Sequence, residues 1–158
     1  MRVFLTLFAI FTLFGGAASA GSIHPRPGWA VHDTGKSYEQ LISDLKVAIK
    51  AVGMFVVTQA GPTGAAAKRG ITIPGNRVIG VYNNAFAVRA LGYSTAAMIE
   101  APIRFYVTED EDGTATLSYK KPSHVFAPYS DEGGQGLADL AAELDAIFTA
   151  IAAGATAE

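Results

Sequence analysis

The stretch Ala101-Pro-Ile-Arg-Phe-Tyr-Val-Thr-Glu-Asp-Glu-Asp-Gly-Thr-Ala-Thr-Leu-Ser-Tyr-Lys-Lys-Pro122 decides the fold. Ile103, Phe105 and Val107 alternate with Arg104, Tyr106 and Thr108, and a period of two puts each set on its own face of a strand. Ala115, Leu117 and Tyr119 alternate with Thr116 and Ser118 in the same way. The two arms read as a β-hairpin over residues 103–119. Its turn has two readings. A two-residue Asp112-Gly113 loop pairs Val107 with Ser118 and mixes the faces. A three-residue Glu111-Asp112-Gly113 loop pairs Val107 with Leu117 and Phe105 with Tyr119. It also puts Gly113 where a type I turn with a bulge wants a left-handed residue. One buried face fixes register strongly, so the three-residue loop is expected. The other face then carries Arg104, Tyr106, Thr108, Thr116, Ser118 and Lys120. It is amphipathic, a surface for some other body to cover.

Upstream, Ser37 and Gln40 have the spacing of a capping box. Tyr38, Leu41, Ile42, Leu45, Ile49 and Val52 then follow helical spacing, and Gly53 stands where a left-handed C-terminal cap belongs. Flanking strands are predicted near 29–33 and 54–59, a βαβ-like opening. Gly61-Pro62-Thr63 leads into a short Ala-rich helix through Arg69, stopped at Gly70. A third strand is expected near 77–83, then a helix from Ala85 to Leu91 interrupted by Gly92, and a short turn over Thr95–Ile99. The hairpin strands fall at 103–109 and 114–119. After Pro122 an irregular stretch with His124, Pro128 and Gly133-Gly134-Gln135-Gly136 is expected. Leu137, Leu140, Leu144, Ile147, Phe148 and Ile151 mark a last amphipathic helix over 137–151, with a frayed tail over 152–158. The fold class is α+β, one domain over 29–151. About five strands form a sheet with helices packed mainly on one face. The predicted core contains Leu41, Leu45, Ile49, Val56, Ile79, Phe105, Val107, Leu117, Leu140 and Leu144.

The first twenty residues read as a signal peptide. Arg2 is the positive start, Val3 to Phe14 is an apolar run too short to span a bilayer, and Ala18-Ser19-Ala20 is a cleavage signal. Residues 21–28, with Pro25 and Pro27, read as a linker. A periplasmic or secreted location with cleavage after Ala20 is expected, with no membrane span in the mature chain. The full chain of 158 residues has a formal net charge of -2 and no cysteine. Loss of Arg2 with the leader leaves 11 basic and 14 acidic side chains, a net charge of -3. That balance offers no electrostatic footprint for nucleic acid. Without cysteine there is no disulfide framework and no lipid attachment site of the lipoprotein type.

Several segments in order resemble the domain-of-unknown-function 302 family, from about Trp29 to Pro122 and more weakly into the last helix. The family's Leu-Pro-Leu-Arg, strand, acidic-Gly turn, strand, Tyr-x-x-Pro is matched by Ala101-Pro102-Ile103-Arg104 and Tyr119-Lys120-Lys121-Pro122. Its Gly-x-x-Leu-Pro is matched by Gly70-Ile71-Thr72-Ile73-Pro74. Its Asp-His ahead of the small helix is Gly61-Pro62 here. Its Gly-Asn-Pro is Tyr82-Asn83-Asn84, and its Gly-Thr is Ala87-Val88. The resemblance implies a compact α+β fold, often dimeric, with no settled reaction.

Chemistry is sparse. His24, His32 and His124 have no metal-like spacing, and neither a metal nor a cofactor is expected. The carboxylates Glu109 to Asp112 lack the alternation of a calcium loop and read as a solvated hairpin tip. Gly133-Gly134-Gln135-Gly136 lacks the strand, lysine and hydroxyl of a phosphate loop and reads as a flexible connection. There is no Gly-x-Ser-x-Gly elbow. The candidate ligand-binding residues are Asn83 at a strand end, Arg104 and Tyr106 on the second hairpin face, Tyr119, and His124. Each has an ordinary reading beside it, such as Asn83 as a helix cap, Arg104 as a surface ion-pair partner and Tyr119 as core. Two functions follow. One is an exported, non-catalytic module binding a small molecule or a periplasmic protein, with self-association as a homodimer through the second sheet face. The other is a small hydrolase-like enzyme using groups near Asn83, Arg104 and His124.

Overall fold

The computed structural model describes residues 23–158. The leader expected over 1–20 lies outside the described residues. Among the described residues no helix is long and apolar enough to cross a membrane.

Five strands form one sheet: β1 (Trp29–Ser37), β2 (Phe55–Ala60), β3 (Asn76–Tyr82), β4 (Ile103–Glu109) and β5 (Thr114–Lys120). Their order is β1-β5-β4-β3-β2, and every neighbouring pair is antiparallel. The hairpin and β3 take the centre because one face of each is apolar: Ile79, Phe105, Val107 and Leu117 are completely buried. The hairpin pairs Val107 with Leu117 and Phe105 with Tyr119. Asp110 N–H donates to the Thr114 carbonyl at 2.8 Å and Gly113 N–H donates back to the Asp110 carbonyl. That leaves Glu111-Asp112-Gly113 as the loop, with Gly113 at φ +83°.

Helix α1 (Tyr38–Ala51) starts where Ser37 Oγ accepts the Gln40 N–H at 3.3 Å. The Gln40 side chain donates to Asp44 Oδ1 rather than returning to Ser37, so the capping box is half made. At the other end Gly53 N–H donates to the Lys50 carbonyl and Met54 N–H to the Ile49 carbonyl, the paired closure of a left-handed C-cap. Because β1 and β2 run in the same direction at opposite sheet edges, α1 crosses the whole core face between them. The βαβ-like opening is therefore an edge-to-edge crossover. Beyond it lie α2 (Thr63–Ala67), α3 (Asn84–Tyr93), α4 (Pro122–Phe126) and α5 (Ser130–Thr156).

α1 and α5 pack side by side over the sheet. Leu41, Leu45, Ile49, Leu137, Leu140 and Ile151 are fully buried between them and the strands. Each buried aliphatic side chain of this kind stabilises the fold by about 1.5–3 kcal/mol. Phe105 stacks on Phe148 with ring centroids 4.8 Å apart, and Tyr119 tilts against Phe105 at 4.9 Å. The result is a single α+β domain of five antiparallel strands with helices packed against them.

Several expectations are corrected. Val56 is only partly buried, because β2 is an edge strand with exposed Phe55 and Val57 on either side. Val52 lies one residue past the helix and is exposed. Gly92 does not interrupt α3, which runs on to Tyr93. The irregular stretch after Pro122 is α4, a short 3-10 turn and the start of α5. Gly133-Gly134-Gln135-Gly136 lies inside α5, which bends at Gly134 (φ 52°). The tail from Ala152 is not frayed: helix continues to Thr156, and Ala152 and Ala155 are completely buried. Small alanines there let the last turns lie close against their neighbours.

Candidate functional site

Alternation sorts the sheet's second face into cross-strand rows. Asp33, Thr116, Thr108 and Asn76 form one row, and Val31, Ser118, Tyr106 and Val78 the next. In the third row Trp29 pairs with Lys120 and Arg104 pairs with Gly80. One register step beyond the Phe105–Tyr119 pair sets Arg104 beside Lys120. The face is therefore acidic and hydroxylic toward the hairpin tip and basic at the opposite end. Thr116 Oγ1 lies 3.1 Å from Asp33 Oδ1 and 2.7 Å from Asp110 Oδ2.

Along this face runs a groove of about 590 Å³. Its floor is Asn76, Val78, Tyr106 and Arg104; Trp29 and Lys120 stand on one side, and His124, Val125, Pro128 and Glu100 close the end. Small-molecule sites fall in this size range and combine apolar walls with a few convergent polar groups. Each polar group is held by a local cause. Asn76 Nδ2 donates to Tyr106 Oη, so that oxygen's own hydrogen remains to be donated. Lys120 Nζ sits 5.7 Å from the Trp29 ring, and Arg26 lies over the same ring at 5.0 Å. Glu100 accepts the Tyr129 hydroxyl at 2.7 Å, and that bond to a carboxylate raises the Tyr129 pKa. Among the described residues neither Arg104 nor Lys120 is paired with a carboxylate; the ion pairs there are Lys36–Asp44 and Arg89–Glu143.

His124 comes to the groove on α4, whose first turn is tied to the chain ahead of β1. Lys121 N–H donates to the Gly28 carbonyl at 2.8 Å. Gly28 has φ +76°, and a β-carbon there would come within 2.1 Å of the His124 ring. The segment read as a linker is fastened at its end.

Of the sequence-derived candidates, Arg104, Tyr106, Tyr119 and His124 line this one groove. Tyr119 borders it, but its ring belongs to the aromatic core. Tyr119 is 4% exposed, and burial pushes its phenol pKa up. Asn83 does not join them. It lines a separate apolar pocket of about 40 Å³ with Met54, Phe86 and Met98. There its Oδ1 accepts the Ala85 N–H and its Nδ2 donates to the Gly53 carbonyl. Sequence reasoning missed Trp29, Asn76 and Glu100 as groove residues. Lys120 was on the predicted second face but was not singled out, although the hairpin register already placed it beside Arg104.

A family model described as "Domain of unknown function DUF302" matches residues 30–153. The chain belongs to the DUF302 family. A solved structure similar to this DUF302 chain is the "Crystal structure of uncharacterized conserved protein DUF302 from Bacillus stearothermophilus". The TM-score is 0.70 at 20% identity, over 80% of this chain and 96% of that one. At that identity the likeness shows the shared fold. Among curated proteins none matches this DUF302 chain. Among the described residues no cluster of three or more metal-binding side chains occurs.

Proposed function

We propose that this DUF302 protein is an exported, non-catalytic module that binds a small molecule in the groove on its second sheet face. The observation that carries the reading is that Arg104, Lys120, Tyr106 and His124 converge on one cavity of about 590 Å³ with Val78 in its floor and Trp29 at its side. The lining includes no serine, threonine or cysteine nucleophile, and covalent hydrolysis requires a nucleophile with an activating neighbour. The hydrolase alternative asked Asn83 to act with Arg104 and His124, and Asn83 lies in a different pocket. Export, with cleavage after Ala20, rests on the apolar run and the Ala18-Ser19-Ala20 signal. Native mass spectrometry of protein recovered from its own periplasm tests both parts. The expected spectrum shows a chain beginning at Gly21 with a retained small molecule. A soluble chain retaining residues 1–20 rules out the export reading.

The charge rows favour a second reading, a homodimer formed through the same face. A two-fold axis in the plane of contact and perpendicular to the strands sets Asp33 and Asp110 of one copy toward Arg104 and Lys120 of the other. Sedimentation velocity at micromolar concentration separates the two: a dimer that dissociates with added salt supports this reading, and a monomer throughout removes it.

A further inference from the structure

We infer that the ligand is a small organic acid whose carboxylate or phosphate is held by Arg104 and Lys120 and whose planar body lies along Tyr106 and Val78. This rests on the groove being the ligand site. Four observations carry it.

First, the two strand cations lie side by side at one end of the groove and lack a carboxylate partner among the described residues. Two like charges kept adjacent favour an anion between them, and a guanidinium offers parallel donors matching a carboxylate or phosphate edge. Second, His124 stands at the same end. The one carboxylate in the lining, Glu100, is already hydrogen-bonded by Tyr129. Third, the indole of Trp29 and the phenol of Tyr106 supply flat apolar wall beside those cations, which suits a ring or conjugated body. Fourth, Tyr106 Oη accepts from Asn76, so its hydrogen is offered to an acceptor in the groove. Arg104 and Tyr106 are alternate residues on one strand, roughly 7 Å apart along it. The ligand that uses both is a planar acid carrying a second oxygen at about that distance from its anionic group.

4-Hydroxybenzoate has this layout and is the probe. Its neutral counterpart is 4-hydroxybenzamide, and benzoate lacks the second oxygen. Trp29 is the only tryptophan, so its indole N–H is a single resonance in a ¹H–¹⁵N spectrum and reports directly on the groove. Titration with 4-hydroxybenzoate is expected to shift it saturably, with affinity at least about tenfold weaker for Arg104→Gln, since a charge-assisted bond is lost. Lys120→Gln weakens it about threefold or more. Tyr106→Phe weakens 4-hydroxybenzoate more than it weakens benzoate. Dispersion of the remaining resonances shows that each variant is folded. Equal binding of acid and amide, or unchanged acid binding by Arg104→Gln, overturns the inference while the groove stands as a site. If none of the probes moves the Trp29 resonance and the native spectrum shows no retained molecule, the groove reading falls with it. Phenyl phosphate in place of the benzoate distinguishes a phosphate from a carboxylate preference.

Discussion

Asn83 donates from Nδ2 to the Gly53 carbonyl at 2.9 Å, joining the start of α3 to the turn that ends α1. The same side chain accepts the Ala85 N–H at 2.8 Å through Oδ1. One residue thus caps a helix and fastens two loops. Asn83→Ala is expected to destabilise the fold by about 1–3 kcal/mol, from a lost cap and a lost bond to a backbone carbonyl. Urea unfolding measures it. The Trp29 resonance and its response to 4-hydroxybenzoate should stay as they are, because Asn83 is outside the groove.

Gly113 sits in the left-handed region at φ +83°, and a β-carbon there would touch nothing within 4 Å. Gly113→Ala therefore isolates backbone strain from packing. A loss of about 1–2 kcal/mol in unfolding free energy is expected. No loss would mean that the turn is not the three-residue loop.

The order of the sheet marks where sequence stops being legible. The hairpin register followed from alternation and one glycine, because both partners are close in the chain and one face is buried. α1 followed from Ser37, its apolar stripe and Gly53. That β1 pairs with β5 while β2 pairs with β3 depends on contacts 77 to 91 and 18 to 27 residues apart along the chain, which no local pattern encodes. The groove was legible in halves: Arg104, Tyr106 and Lys120 from the hairpin, but not Trp29, which arrives from the far end of the chain. Asn83 was misjudged as a companion of Arg104 because a strand end does not reveal which face its neighbours serve. Gly133 to Gly136 read as a loop by composition, and tertiary packing overrode that preference. Gly136 lies against the Tyr93 ring of α3, and Ser94 donates to Glu132 at 2.6 Å.

Gly28 and His124 offer a second local test. Alanine at 28 would collide with the imidazole and force a left-handed backbone on a β-carbon. Gly28→Ala is expected to displace His124, seen as a shift of its ring resonances, and to cost about 1–3 kcal/mol of stability. The hairpin resonances should be unchanged.

Acid sensitivity should arise at two carboxyls, the partly buried Asp44 and the exposed Asp112. The hydrogen bond from Lys36 holds the Asp44 pKa below the ordinary value of 3.8, and bonds from the Thr114 hydroxyl and amide do the same for Asp112. A carboxyl whose pKa is lowered by folding contributes stability above its unfolded pKa and loses it as pH falls through the folded one. Thermal stability should therefore lose the contribution of these two groups only below about pH 4. Asp44→Asn and Asp112→Asn should each reduce the acid-side slope. An unchanged slope in both would show that these bonds do not matter in solution.

A crystal structure of the protein purified from the cells that make it, with whatever it retains, tests the groove most directly. The predicted result is density for a small planar molecule lying on Tyr106, with its anionic end between Arg104 and Lys120 and its flank against Trp29. Density confined to the apolar pocket under Asn83, or a groove filled by the second face of another copy, would contradict it.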